Sequence, residues 1–547
     1  MKEIFQKSIN ALISKQTNIF SAALFIILTT VISQLLGLFK YRILVSLFGA
    51  STELGVFFAA FRVPDFIFQV AIAGALSTAF IPVFTEYVVH GKRREADSFT
   101  SSLLTIGVIF YVLVSIIVIL FSYQLAELVA PGFSPHELRL MAQFMIIIQL
   151  AQMFFILGTV ATAVLQSLQH FLIPGIATAA YNLGIILGLV VFVPFIGFYS
   201  ATVGVVIGSV LFFIVQLPLL IHSGFVYKPT IDLKNGTLKV IHLMVPRSAT
   251  LIVTQLAITG NVFFASFLGA RSLVVFDLAQ TLVMAPVLLF GQSIAQASFP
   301  ALSQKKNDKK TFDSIFISSF NQILYLTLPL SVLFIVLRIP LIRLFFGASR
   351  FDWTATVDTG RTLAYFSVSI AAQSLIYLLA RGFYAHKDTK TPFFVTIFAV
   401  CINISISYVF VLIYHLPIFF LALAFSISNI LACIILFLLL DKKIHLPKRS
   451  IIITSTKILF ATLIMGIALY IPIKLLDQLV FDTTKTINLI LLTGIASSAG
   501  LITYILFTWL FNIQEARYVV EVVKKFKNGK KLLQDMGELI NGPKPTL

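Results

Sequence analysis

Leu103-Leu104-Thr105-Ile106-Gly107-Val108-Ile109-Phe110-Tyr111-Val112-Leu113-Val114-Ser115-Ile116-Ile117-Val118-Ile119-Leu120-Phe121 carries no charge from end to end. A helix needs about 20 such residues to cross the hydrocarbon core of a bilayer. The run is continuous rather than alternating, so a membrane β-barrel strand is excluded. It belongs to a longer hydrophobic segment, 102–128, and the rest of the chain repeats the pattern. Fourteen segments are read, at about 19–47, 54–88, 102–128, 138–168, 171–195, 199–221, 239–268, 273–302, 315–346, 360–383, 391–414, 417–440, 452–474 and 487–512.

The composition agrees. Of 547 residues 59% are hydrophobic and 11% charged, against about 25% charged in soluble domains. Mean hydropathy is +0.99. A soluble enzyme, a secreted disulfide scaffold and a disordered chain are all excluded. The net charge of +18 would suggest nucleic acid in a soluble protein. Here the cations sort by loop, which is the habit of cytoplasmic loops in membrane proteins. Lys92-Arg93-Arg94, Lys228/Lys234/Lys239, Lys305-Lys306/Lys309-Lys310, Arg381/Lys387/Lys390 and Lys442-Lys443/Lys448-Arg449 all fall on one side. An even number of spans puts both termini on that side, the cytoplasm. Lys2, Lys7 and Lys15 precede the first run, which is too long for a signal peptide and reads as an uncleaved span.

Internal echoes divide the chain. Ala79-Phe80-Ile81-Pro82 ends the second segment and Ala297-Ser298-Phe299-Pro300 the eighth, with the prolines 218 residues apart. Pro174 and Pro392 open the fifth and eleventh at the same offset of 218. Six spans per repeat is an even number, so both repeats share one orientation. The expected fold is therefore an all-α polytopic membrane protein with 14 transmembrane helices, two parallel six-helix lobes plus two C-terminal helices. The expected domains are 1–225, 226–445, 446–512 for the last two spans, and a basic tail over 513–547. In that tail Val519, Val522, Phe526, Leu533 and Ile540 recur at helical spacing among Lys524, Lys525, Lys527, Lys530 and Lys531. It reads as an amphipathic helix on anionic membrane lipids.

No catalytic constellation is present. There is no GxxxxGK phosphate loop, and the two cysteines, Cys401 and Cys433, lie inside apolar runs. No metal and no cofactor is expected. Coupling to an ion or to the membrane potential stays open, with the ion undetermined. His170, His222, His242, His386 and His445 fall at helix ends. The informative residues are charges in apolar segments, because each costs at least about 2.5 kcal/mol in the bilayer unless it faces a cavity or snorkels. Lys40 and Arg42 lie in the first segment, Arg62 and Asp65 in the second, Arg247 in the seventh, and Arg271 and Asp277 near the eighth. Lys40, Arg62, Arg42, Asp65 and Arg271 are the candidate substrate-binding residues. Their cations suit an anionic headgroup such as a pyrophosphate; snorkelling to lipid headgroups is the competing reading. Gly37, Pro64, Gly74 and Pro286 are candidate hinge or gating positions, with Gly291 beside the last.

The stretch Ser33–Tyr87 resembles the MurJ/MviN family of lipid II flippases, within the multidrug/oligosaccharidyl-lipid/polysaccharide exporter superfamily. The resemblance rests on Leu36-Gly37, Phe48-Gly49-Ala50, Phe61-Arg62-Val63-Pro64, Gly74-Ala75-Leu76-Ser77 and Ala79-Phe80-Ile81-Pro82. Ala130-Pro131-Gly132-Phe133, Phe299-Pro300-Ala301-Leu302-Ser303 and Lys387-Asp388-Thr389-Lys390-Thr391-Pro392 extend it along the chain. It implies a multi-pass protein of the bacterial cytoplasmic membrane, a monomer, serving peptidoglycan biosynthesis and cell shape. The implied activity is to move an undecaprenyl-pyrophosphate-linked precursor, lipid II, to the outer leaflet by alternating access. It implies a transporter rather than an enzyme, with the headgroup in a cavity between the lobes.

The polar positions depart from the family. Gln34 stands for its arginine, Lys40-Tyr41 for Arg-Asp, Gly55 for an acid, and Phe68 and Ala73 for an arginine and a glutamate. Asn261 stands for an acid in the seventh segment. Two other functions stay open on these grounds: transport of another lipid-linked saccharide, or a non-transporting membrane scaffold.

Overall fold

The computed structural model describes residues 19–70, 80–232, 237–479 and 485–516, and every regular element among them is helical. Thirteen helices among the described residues are long and apolar enough to cross a membrane. Contacts group the chain into two compact units that divide at Ala270 and Arg271. The first holds α1 (Ile19–Phe48), α2 (Thr52–Ala60), α3 (Arg62–Phe68), α4 (Ile81–Val89), α5 (Arg93–Leu120), α6 (Ser122–Val129), α7 (Pro135–Ser167), α8 (Leu172–Ile196), α9 (Tyr199–Ile214), α10 (Leu217–His222) and α11 (Thr237–Ser266). The second holds α12 (Ala270–Pro286), α13 (Ser293–Gln304), α14 (Lys309–Val336), α15 (Arg338–Phe346), α16 (Trp353–Ser367), α17 (Ile370–Ala385), α18 (Lys390–Tyr408), α19 (Phe419–Ile444), α20 (Lys448–Leu479) and α21 (Thr486–Leu510).

The first unit is knit by glycine. Gly184 and Gly188 of α8 face Gly208 and Gly204 of α9, two GxxxG pairs laid against each other. A Cβ on Gly184 would overlap the Cα of Gly208, and one on Gly188 the Cα of Gly204. Lipid tails are as apolar as leucine, so membrane helices associate by such close backbone packing rather than by expelling water. α1 lies on the other side of α8. Gly175 leaves room for Thr29, and Asn182 Nδ2 donates to the Ser33 carbonyl at 3.2 Å. Gly37 breaks the apolar pattern but not the helix: α1 runs through it, beside Asn182 of α8.

The second hydrophobic segment is a broken element. α2 stops at Ala60 and α3 starts at Arg62. Pro64 has no N–H for the Ala60 carbonyl, and its ring crowds that carbonyl, so the helix breaks one turn upstream. Gly74 and the rest of 71–79 lie outside the described residues, as does the side chain of Arg247. The count of thirteen is therefore made without this segment.

α5 shows why the units read as membrane-embedded. Leu113, Ile117 and Leu120 are 58, 55 and 70% exposed, an apolar face that lipid would cover. On its inner face Tyr111 is buried and donates to the Gln149 carbonyl at 2.9 Å. Compactness divides the chain one helix beyond the boundary that the proline repeat suggests. α11 packs with the first unit, where the Gly132 N–H donates to Ser266 Oγ at 3.0 Å and Gly132 has no Cβ to obstruct the Ser266–Phe267 backbone.

In the second unit α12 ends at Pro286 and passes through a wide π turn, Val287–Gln292, into α13. Gly291 in that turn lies against the Ser374 backbone of α17. The last two spans are anchored on α14: Tyr504 Oη of α21 donates to the Tyr325 carbonyl at 2.8 Å. Loop ends are tied by charge. Lys443 Nζ lies 2.7 Å from Asp388 Oδ2, and Lys448 Nζ lies 2.6 Å from Asp441 Oδ2. Burial pushes the Asp388 pKa up, but the Lys443 ammonium with the Thr391 N–H and hydroxyl outweighs it and holds the carboxyl at about 2. The basic tail beyond Ala516 lies outside the described residues.

Candidate functional site

The candidate polar residues of the first unit lie on α1 and α3, and α3 meets α7 through Asp65 and Gln152. The Pro64 break positions the residues of α3: it separates α3 from α2 and presents Arg62 and Asp65 on one short helix, three residues apart. Asp65 lies in the first turn of α3, where a carboxylate suits the helix dipole. Gln152 Nε2 of α7 donates to Asp65 Oδ1 at 2.8 Å. The pair borders a cavity of about 240 Å³ walled by Phe61, Phe68, Phe155 and Tyr181. Phe155 ties the wall together, with ring centroids 5.3 Å from Phe68 and 5.1 Å from Tyr181.

Lys40 and Arg42 lie in the C-terminal part of α1, and both are half-buried. Lys40 Nζ sits 4.8 Å from the centroid of the Tyr41 ring. Tyr41 in turn packs on Phe58 of α2, with centroids 5.8 Å apart. A cation over an aromatic face is attracted by the ring quadrupole, so Tyr41 gives the lysine an aromatic partner. Arg62 is also half-buried. Asn261 is 3% exposed, and its Oδ1 has no hydrogen-bond partner.

Arg271 belongs to the second unit and is paired there with Asp352. Its Nη2 donates to Asp352 Oδ1 at 2.6 Å and to Thr354 Oγ1 at 2.7 Å. Asp352 also caps α16 by accepting the Ala355 N–H at 2.8 Å. Burial works to raise the Asp352 pKa, but the Ala355 N–H and the Arg271 guanidinium hold it below the ordinary value. Of the hinge candidates, Pro64 and Pro286 coincide with breaks in helices, and Gly37 lies within a continuous one.

Gln152, Gln69, Tyr181 and Ser209 border the same cavity as Asp65, and the sequence reading passed over all four. The signal was there for Gln152: it and Gln149 are the amides of an otherwise apolar stretch from Met145 to Leu157.

A family model described as lipid II flippase MurJ matches residues 44–491. The chain belongs to that family. It is a multi-pass membrane transporter and not an enzyme. A probable lipid II flippase of Buchnera aphidicola subsp. Acyrthosiphon pisum is 26% identical over 507 residues, covering 89% of this chain and 96% of the relative. The corresponding protein of Thermotoga maritima is 28% identical over 500 residues, with 90% and 97% covered. A solved lipid II flippase MurJ in an inward closed conformation superposes with a TM-score of 0.75 at 26% identity, covering 89% of this chain and 98% of that one. An inward-facing multidrug resistance MATE transporter of the MOP superfamily gives a TM-score of 0.63 at 14% identity over 76% of this chain, a likeness of fold alone.

Proposed function

We propose that the protein carries lipid II from the inner to the outer leaflet of the bacterial cytoplasmic membrane by alternating access. The observation that carries this reading is the family match over residues 44–491, supported by the TM-score of 0.75 to a MurJ flippase. The segment 54–88 is the remaining span, broken at Pro64, and brings the total to fourteen. Both termini are then cytoplasmic, and the first twelve spans form two repeats of one orientation, with α20 and α21 added. The protein acts as a monomer, with its basic tail on the anionic leaflet.

Lys40, Arg42 and Arg62 supply the positive charge for the pyrophosphate. A headgroup carrying two or more negative charges needs at least two such partners, and charge-assisted hydrogen bonds are the stronger class. Arg271 contributes only if its pair with Asp352 opens. Pro64 and Pro286 are the bending points, because helix hydrogen bonds are already interrupted there. Loss of the family's arginines at Gln34 and Phe68 favours a second reading, transport of a different lipid-linked saccharide.

Rescue of a bacterium depleted of its own lipid II flippase separates the two. Growth restored by this chain, and abolished by Lys40→Ala without loss of membrane insertion, is the expected result. Failure to rescue at normal insertion leaves the second reading.

A further inference from the structure

We propose that residues 225–232, on the chain leading from α10 to α11, are a releasable strap: fastened across α5 in this structure, and lifted from it when the transporter changes between its two access states. The inference deepens the transport reading and rests on it.

Hydroxyl groups of α5 hold the strap. Ser101 and Thr105 are one helical turn apart, with Ser102 beside them, and Ser101 and Ser102 are fully buried. Ser101 Oγ accepts the Lys228 N–H at 3.2 Å, and Ser102 Oγ accepts the Asp232 N–H at 3.2 Å. Ser102 Oγ and Thr230 Oγ1 meet at 3.0 Å. Thr105 gives its hydroxyl hydrogen to the Ser101 carbonyl at 2.7 Å, so Tyr227 Oη is the donor in its 3.0 Å contact with Thr105 Oγ1. Contacts at Tyr227, Lys228, Thr230 and Asp232 thus fix a run that has no regular structure of its own.

The fastening is of a reversible kind. Phe225 packs against the apolar core that includes Phe80, Phe84 and Phe99, and so roots the strap. Gly224 before it has a φ of +77°, which glycine adopts without strain. Beyond the root, Val226, Tyr227 and Ile231 are exposed, so hydrogen bonds rather than apolar burial hold the run. Both sides find new partners when it lifts. A helical serine or threonine can donate to the carbonyl four residues before it, as Thr100 does to Ala96 at 2.7 Å, and the freed strap N–H groups meet water. The consequence is slack at the start of α11. With the strap fastened, the chain from Asp232 to Thr237 reaches at most about 18 Å; released back to Gly224, it reaches about 45 Å. The strap therefore sets how far the start of α11 can move from α5.

The test is a reversible lock, Ser102→Cys/Thr230→Cys, in the full-length protein with Cys401 and Cys433 replaced by alanine. The two hydroxyls meet at 3.0 Å, so thiols in their place are close enough to bridge. The protein is reconstituted into phosphatidylethanolamine–phosphatidylglycerol vesicles with fluorescent lipid II and oxidised with copper phenanthroline, and mass spectrometry counts the cross-linked fraction. Oxidation should lower transport about fivefold or more and dithiothreitol should restore it, while the cysteine-free parent responds to neither. A cross-linked protein that transports as fast as its reduced form overturns the strap and leaves the transport reading standing; failure to cross-link contradicts the fastened state itself. Absence of transport in the natural and cysteine-free chains tells against the transport reading instead, and labelling then decides the strap. Ser101→Cys in the cysteine-free chain should react with a water-soluble maleimide within minutes under native conditions, because lifting uncovers it. No reaction until denaturant unfolds the protein overturns the proposal.

Discussion

Gly188→Ala tests the packing of the first unit at the tightest point of the α8–α9 seam. The added Cβ would overlap the Cα and N of Gly204, which are backbone atoms that no rotamer change can move. The α8 and α9 axes must separate instead. Overpacking of this kind costs about 1–3 kcal/mol, while alanine returns up to about 1 kcal/mol of helix propensity over glycine. The net expectation is a loss of about 1–2 kcal/mol. At about 2–4 °C per kcal/mol for a unit of this size, the apparent melting temperature should fall by about 2–8 °C. Circular dichroism of the detergent-solubilised protein reads it. Gly494→Ala on α21 is the control, since a Cβ there meets nothing within 4 Å; it should be neutral or slightly stabilising. Gly188→Ala combined with Gly204→Ala should cost less than the two singles added, because both push the same two helices apart. A Gly188→Ala protein that melts with the parent would refute the seam as a determinant of stability.

Three further outcomes are expected. Lys40→Arg should keep or raise transport where Lys40→Ala abolishes it, since a guanidinium can bind phosphate in a bidentate fashion; equal, full transport by Lys40→Ala combined with Arg62→Ala would show both side chains snorkelling. Asp388, held at about 2 against an ordinary value of 3.8, contributes stability that is complete above its unfolded value and is lost as pH falls through about 2. An apparent melting temperature followed from pH 5 downward should show that loss, and Asp388→Asn should flatten it. A cysteine introduced between Pro131 and Glu137 should react with an impermeant thiol reagent in intact cells; reaction only after permeabilisation would invert the orientation.

The helices were legible because hydrocarbon imposes one rule on every span. The segment read at 171–195 is α8, Leu172–Ile196, and that read at 487–512 is α21, Thr486–Leu510. One break inside a segment read as a single run at 199–221 was passed over, although the residue that forces it stands in the sequence. Pro218 leaves the Ile214 carbonyl without its donor, and the sixth segment divides there into α9 and α10. Gly37 reads as an interruption of the first segment, yet α1 runs through it, because a single glycine keeps its backbone hydrogen bonds. Long-range pairing was the part the sequence could not display. Asp65 meets Gln152 across 87 residues and Arg271 meets Asp352 across 81, and no local pattern announces either. The partner of Arg271, Asp352, lies in the loop before α16, where the sequence pattern around Arg271 gives no sign of it.

Transport itself is the most direct test. Purified protein is reconstituted into vesicles that contain fluorescent lipid II, and an impermeant reagent added outside reads the fraction of headgroups exposed to it. The account expects exposure to rise well beyond that of protein-free vesicles, and to return to their level with Lys40→Ala. Exposure equal to protein-free vesicles, with the parent protein folded and inserted, would contradict the claim that this chain moves lipid II.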